Sequence, residues 1–421
     1  MWARLGRSYQ TFAIVLLNCF LLFIAANLIA LPFVDLGFNP YDPKSHRDQW
    51  LDRHGIETMR RVYPGLGDKQ IKDLLLQAGR FGQVFEPYIH TKSEPMVLEH
   101  TAFHPAGFRM VGREQGPWPM SPDAFNVFVF GGSTVVGSGV RDDHAIPAVL
   151  QQMLRERFGD KAINVYNFAT AGHYSTQERI YFEQLILRGH VPHAVVFVDG
   201  LNDFFYWHDE PAHTSMMRSA YAYMATRADY RSLLTAIKAV VIRLPLTQLA
   251  QRYYHYARTG QMPKASLIST AHAADNPYAE RTRIDAVIER YFRFKQMAAA
   301  VAESFGIVPV FVWQPVPLYR YDGKLRLFPV IDDHLIHEHG YPVMAQRAAG
   351  RDMGKDFIWC ADAFERAARP LYLDAVHYTI EGNEMVASCI VEAIVGRGLF
   401  DKKLTRHGEG FSSRALTAPA K

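Results

Sequence analysis

Apolar residues fall along this chain in two rhythms, and each predicts a different element. Short, nearly unbroken apolar runs lie at Asn126 to Phe130, Ala162 to Phe168, Ala194 to Asp199, Ile307 to Trp313 and Phe357 to Cys360. A strand wet on one face alternates apolar and polar residues; runs without that alternation predict strands covered on both faces, as in a parallel sheet. Between the runs the spacing changes to helical intervals, most clearly at Ile284, Ile288, Tyr291, Met297 and Val301 within Thr282 to Ser304. Strands and helices in this alternation predict an α/β domain with a five-stranded parallel sheet and helices on both sides.

A third pattern stands at the start. "TFAIVLLNCFLLFIAANLIAL", Thr11 to Leu31, contains no charged residue and has about the ~20 residues that a membrane-spanning helix needs. The rival is a cleaved signal peptide, whose apolar region is shorter, at ~7 to 15 residues. The small residues near Ala26 and Ala30 make a poor cleavage site, so an uncleaved anchor over 11–31 is the expectation. "LLNC" faintly resembles a lipidation site, but Asn18 is a poor residue before Cys19 and the apolar run continues past it. Arg4 and Arg7 precede the span. The positive-inside rule then keeps residues 1–10 in the cytoplasm and exports the rest, to the periplasm if the source is bacterial.

The remaining organisation follows from these landmarks. Residues 32–122 are irregular and rich in proline and scattered aromatics, with one helix predicted at Lys69 to Ala78, and are expected to form a membrane-proximal extension. The α/β domain occupies 123–400, interrupted by an insertion over 204–281 that is rich in Tyr, Arg and Met. An insertion after a strand's carboxyl end is placed either to cover a site as a lid or to form a helical subdomain against the bilayer. Residues 401–421, dominated by Ser, Arg, Lys, Gly and Ala, read as a flexible tail.

Charge and cysteine content then remove several function classes. In 421 residues, 46 Lys and Arg stand against 42 Asp and Glu, a net charge of +4 with no basic cluster, so no nucleic-acid partner is expected. The three cysteines, Cys19, Cys360 and Cys389, form no zinc spacing, and a disulfide between the last two is left open. His334, His337 and His339 near Asp332 and Asp333 match no standard metal site and read as a solvated loop. Neither a metal nor an organic cofactor is expected.

The chemistry is sought in the loops after the strands, because ligands of open parallel sheets bind outside the strands' carboxyl ends. "FNVFVFGGSTVVGSGV", Phe125 to Val140, runs from the first strand into a small-residue loop. It lacks the lysine of a phosphate-binding loop, since Ser138 stands in its place, and it completes neither G-x-G-x-x-G nor G-x-S-x-G, where Val135 replaces the last glycine. What remains is a serine, Ser133, or a glycine-rich turn without chemistry. The later loops favour the serine. "ATAGHYS" follows the second strand with Gly172, "DGLND" the third with Asn202, and "YLDAVHYT" lies beyond the fifth with Asp374 and His377. A serine hydroxyl needs an imidazole to take its proton, and the imidazole needs a carboxylate to fix its tautomer. Asp374 and His377 supply both, while the N–H groups of Ser133 and Gly172 and the amide of Asn202 supply donors for an oxyanion. Asp203 is expected to prop its turn or line the pocket, and Tyr174, Phe204 and Trp313 to be core or cleft walls.

These blocks resemble the SGNH (GDSL-type) hydrolases, whose four signature residues map onto Ser133, Gly172, Asn202 and His377. The resemblance covers roughly residues 125–395. It implies a flavodoxin-like three-layer α/β/α sandwich, Ser133 as nucleophile, Gly172 and Asn202 in the oxyanion hole, and an Asp-x-x-His pair in Asp374 and His377. One position departs from the family: its usual Gly-Asp-Ser is Gly131-Gly132-Ser133 here. The expected function is a single-pass, membrane-anchored serine esterase whose catalytic domain lies outside the cytoplasm. Its substrates would be acyl esters, with acetyl groups on envelope polysaccharide preferred and lipid esters the alternative. The same triad would serve an O-acyltransferase, and a catalytically silent envelope assembly protein is the rival from another class.

Overall fold

The computed structural model describes residues 2–30, 55–78, 82–159, 162–207, 241, 244–259, 279–330, 334–401 and 403–404. Most of the 204–281 insertion, the first part of the extension, Asp332, Asp333 and nearly all of the tail lie outside the described residues, and with them the lid and flexible-tail readings. The chain divides into two units, residues 46–217 with 275–421 and residues 1–45 with 218–274.

In the larger unit the five apolar runs form β1 (Phe125–Gly131), β2 (Ile163–Asn167), β3 (Ala194–Asp199), β4 (Val308–Trp313) and β5 (Phe357–Trp359). They pair in parallel in the order β2-β1-β3-β4-β5, which is the flavodoxin-like order. The pleat sends alternate residues to opposite faces. Phe128, Phe130, Val195, Phe197 and Phe311 join one core with helices Ser175–Leu187, Arg281–Ser304 and Ile336–Ala349. Val127, Val129, Val196, Val198, Val310 and Val312 join the other, beneath helices Ile146–Arg157 and Ile380–Gly396. On the first face Phe168, Phe130, Phe197 and Phe311 stack in a ladder across neighbouring strands, with ring centroids 5.9, 5.3 and 5.5 Å apart. Aromatic cross-strand pairs of this kind add to sheet stability beyond their buried area.

One helical register differs from expectation. Along Arg281–Ser304 the buried positions run through Ile284, Val287, Ile288, Tyr291, Phe294, Ala298 and Ala302, whereas Met297 is half exposed. The buried stripe ends on two alanines, Ala298 and Ala302. Small residues there permit close packing, and hydrophobicity alone does not mark them.

The extension packs on the same unit. Helix Asp68–Ala78 buries Ile71, Leu74, Leu75 and Ala78, which cluster with Met59, Tyr63, Val140 and Leu373. Arg109 N–H donates to Asn167 O at 2.9 Å, joining the extension to the end of β2. Cys360 and Cys389 form a disulfide that fastens the strand end at β5 to helix Ile380–Gly396.

The smaller unit contains helix Trp2–Ala30, within which Tyr9–Ile29 is long and apolar enough to cross a membrane. Helix Pro245–Thr259 packs beside it. Asn27 donates to Phe23 O at 2.9 Å and accepts the Leu246 N–H at 3.1 Å. A polar side chain in this apolar helix thus serves the first turn of its neighbour, where backbone N–H groups have no intrahelical acceptor.

Candidate active site

β1 ends at Gly131, and Ser133 opens the short helix Ser133–Val136. Neither preceding glycine has room for a side chain. A Cβ at Gly131 would overlap the Val135 side chain, and one at Gly132 would overlap Asn202 Nδ2 and approach His173 O to 3.1 Å. Gly132 lets the Asn202 amide approach where the family's usual Gly-Asp-Ser would carry a side chain.

Asp374 organises its own loop before it meets the histidine. Its Oδ1 accepts the N–H groups of Val376 at 2.8 Å and His377 at 2.7 Å, while Leu373 N–H donates to His377 O at 2.8 Å. Its Oδ2 lies 2.6 Å from His377 Nδ1, and His377 Nε2 lies 2.8 Å from Ser133 Oγ. The carboxylate calls for the proton on Nδ1, leaving Nε2 to accept from the serine hydroxyl. Burial pushes the Asp374 carboxyl up, but the charge of His377 and the hydrogen bonds from His377 and Val376 outweigh it and hold the group below its ordinary value. Asp374 is therefore ionised at neutral pH.

Ser133, Gly172, Asn202 and His377 line one cavity of about 290 Å³, closed partly by Phe205, Tyr206 and Val376. Gly172 is in the left-handed region (φ +82°), and the Tyr206 hydroxyl lies 3.3 Å from where its Cβ would stand. Among the described residues neither Ser133 N–H nor Gly172 N–H has an acceptor. Asn202 Nδ2 donates to His173 O at 2.6 Å, and an amide carries a second N–H. Behind Asn202, Asp203 accepts Gly200 N–H at 3.0 Å and Ser175 Oγ–H at 2.5 Å, tying the third-strand turn to the second-strand loop. Gly200 has φ +112°, and a Cβ there would press on Tyr341 and Trp313. Trp313, Phe204 and Tyr174 are buried core residues.

The histidine cluster is not a solvated loop. His334 and His337 are buried, because helix Ile336–Ala349 begins here and its first turn docks on the β3 turn. The two ring nitrogens of His337 face His334 O at 2.7 Å and Leu201 O at 2.8 Å. His334 lines the cavity. No group of three or more His, Cys, Asp or Glu side chains among the described residues could hold a metal ion.

Two further features have no marker in the sequence. Arg109, fully buried, donates to Val136 O, Gly137 O and Val140 O at 2.6–2.7 Å and to Asp142 Oδ1 at 2.7 Å, fastening the loop that follows helix Ser133–Val136. Glu178 and Asp199 are buried near the Asn202 turn with their carboxyls against one another, and no N–H of the described residues donates to either. Burial first, and then the charges of neighbouring carboxylates, raise both well above the ordinary range, so the pair retains a proton.

With this geometry in view, the comparisons place the chain. Residues 127–390 match the GDSL-like Lipase/Acylhydrolase family, and the chain belongs to that family of serine ester hydrolases. Solved structures that resemble it include LAE5, an alpha/beta hydrolase enzyme from the metagenome of Lake Arreo, Spain, at 14% identity with 64% of this chain and 94% of that chain covered and a TM-score of 0.35. The acetyl xylan esterase AlAXEase is 15% identical, with coverage of 64% and 99% and a TM-score of 0.35. Axe2, an acetylxylan esterase from Geobacillus stearothermophilus, is 12% identical, with coverage of 64% and 93% and a TM-score of 0.34. No curated protein matches the chain.

Two predictions follow from this geometry. If the Asn202 amide serves an oxyanion as expected, Asn202→Ala, which leaves the Ser133–His377–Asp374 bonds untouched, should lower kcat on p-nitrophenyl acetate by about 10²-fold or more. Unchanged turnover would remove Asn202 from the site. Glu178→Gln tests the buried acid pair through pH. A carboxyl whose folded pKa is raised contributes stability below its unfolded pKa, about 4.3 for Glu, and that contribution is lost as pH rises toward the folded value. The variant lacks this loss, so its melting temperature relative to wild type should be higher at pH 8 than at pH 5. A relative shift independent of pH would show that Glu178 holds no proton at neutral pH.

Proposed function

We propose that this protein is a membrane-anchored serine esterase that cleaves short acyl esters, chiefly acetyl esters of envelope carbohydrate, outside the cytoplasm. The observation that carries the reading is the unbroken hydrogen-bond chain from Ser133 Oγ through His377 to Asp374 at 2.8 and 2.6 Å, opening on the cavity that also presents Gly172 and Asn202. In the first step Ser133 Oγ attacks the ester carbonyl as its proton passes to His377 Nε2. Asp374 stabilises the resulting imidazolium. The carbonyl oxygen, now negative, is met by the N–H groups of Ser133 and Gly172 and by the Asn202 amide, donors already in place before charge develops. His377 returns the proton to the departing alcohol oxygen as the C–O bond breaks. In the second step His377 takes a proton from water, the hydroxide attacks the acyl-enzyme, and Ser133 leaves with the proton restored.

A short acyl group is favoured because the cavity, at about 290 Å³, is at the small end of ligand pockets, which run from ~300 to 1,000 Å³. Export is favoured by two independent features: Arg4 and Arg7 ahead of the apolar helix, and the Cys360–Cys389 disulfide, since disulfides persist in oxidising compartments.

A fluorophosphonate probe should label Ser133 and release of acetate from p-nitrophenyl acetate should accompany it, with both lost in His377→Ala. Failure to label well-folded protein would sink the enzyme reading and leave the silent-scaffold alternative. For topology, an alkaline phosphatase fused after Asn39 should be active in a bacterial host. An inactive fusion would overturn export.

A further inference from the structure

Of the polar side chains that line the cavity, the proposed reaction leaves Ser138, Tyr206 and His334 unused, and His334 is the one of the three with a buried side-chain nitrogen lacking a partner among the described residues. Its ring packs against Phe205 at a centroid distance of 4.8 Å and an interplanar angle of 32°, and against His337 at 5.1 Å and 25°. It is 7% exposed, and what remains exposed is in the wall of the cavity that contains Ser133, His377 and Asn202. Nδ1 is fully buried and has no partner among the described residues, which leaves Nε2 as the nitrogen a ligand can reach. A buried N–H without an acceptor is costlier than a buried lone pair. The proton therefore belongs on Nε2, making it a donor into the cavity. Burial and the nearby His337 ring hold His334 neutral, so it offers this donor without a charge.

We propose that His334 is a specificity residue that binds the alcohol half of the substrate, donating its Nε2–H to a hydroxyl or ring oxygen of a polyol ester. The proposal rests on the reading of Ser133, His377 and Asp374 as the esterase machinery and extends it to the substrate. The acyl group and the oxyanion are already served by Ser133, Gly172 and Asn202, so the oxygen that His334 meets belongs to the other side of the ester bond. A simple aliphatic or aryl alcohol has no second oxygen for it, whereas a sugar or other polyol does. Phe205 and Tyr206 beside it give such a ring an apolar wall. A site with a buried polar group penalises a substrate that leaves that group unpaired. His334 would thus select polyol esters over the hydrocarbon esters that the triad alone would accept.

The test compares two acetates in wild type and His334→Phe, a substitution that keeps a flat ring against Phe205 and His337 and deletes both nitrogens. One substrate is p-nitrophenyl acetate; the other is methyl 6-O-acetyl-glucopyranoside, whose hydroxyls neighbour the ester. Losing one such hydrogen bond should lower kcat/KM on the glucoside by about ten-fold, mainly through KM, while p-nitrophenyl acetate changes by less than about three-fold. Fluorophosphonate labelling of Ser133 should proceed at the wild-type rate. His334→Gln, which restores an N–H near the position of Nε2, should recover part of the glucoside activity. Equal losses on both acetates, no loss on either, or slowed labelling of Ser133 would each overturn the proposal by assigning His334 a structural role. If wild-type Ser133 is never labelled, the esterase reading itself fails and this inference fails with it.

Discussion

The close approach of β1 to the turn after β3 is the constraint from which the site follows. Because β1 lies between β2 and β3, its loop is the one that touches both neighbouring loops at once. Gly132 brings the backbone against the Asn202 amide and His173 O with no space for a Cβ. That same amide bonds His173 O at 2.6 Å, so the Gly172 loop is drawn to the same point. A side chain at position 132 would require the Asn202 amide to shift from its place beside this loop.

Preorganisation at this junction depends on polar groups buried behind it. Asp203 links the loops that carry Gly172 and Asn202 through Ser175 and Gly200, and Arg109 satisfies three carbonyls at and after the end of helix Ser133–Val136. Each is a group that water would otherwise solvate, buried at a cost that only a full set of partners offsets. Arg109 meets that condition with its guanidinium fork and the Asp142 carboxylate. Glu178 and Asp199 meet it differently, by retaining a proton, which makes the support under the Asn202 turn sensitive to pH while Asp374 stays ionised.

The sheet was legible because each strand is a run of apolar residues uninterrupted by charge, and a strand buried on both faces tolerates nothing else. All five appear within a residue or so of their expected bounds. The Asp374–His377 pairing was legible for a local reason: a three-residue separation on one tight loop lets a single carboxylate hold both the backbone and the ring. Gly172 and Asn202 required strand order, which the alternation of elements supplied. Arg109 gave no signal, since a lone arginine in an irregular segment looks like any surface cation, and its burial depends on contacts more than twenty residues away. The histidines at 334 and 337 were misjudged because "DDHLIHEHG" is polar by composition. Its burial comes from the helix start that docks it on Leu201, which is a tertiary fact.

Three imidazoles close to the cavity illustrate how environment divides roles among identical groups. His377 has a carboxylate on one nitrogen and a hydroxyl on the other, an arrangement suited to moving a proton. His337, kept neutral by burial, faces two backbone carbonyls and can donate to only one of them at a time, which suits it to the wall of the cavity and not to moving a proton. His334 has neither a carboxylate nor a carbonyl at its buried nitrogen and packs against two rings, which restrains its direction while leaving its hydrogen-bonding capacity unspent. A fixed, neutral and unsatisfied donor is worth little to the stability of the fold. Its value is realised only when a substrate oxygen arrives, and that difference between the empty and occupied cavity is what gives a binding site its selectivity.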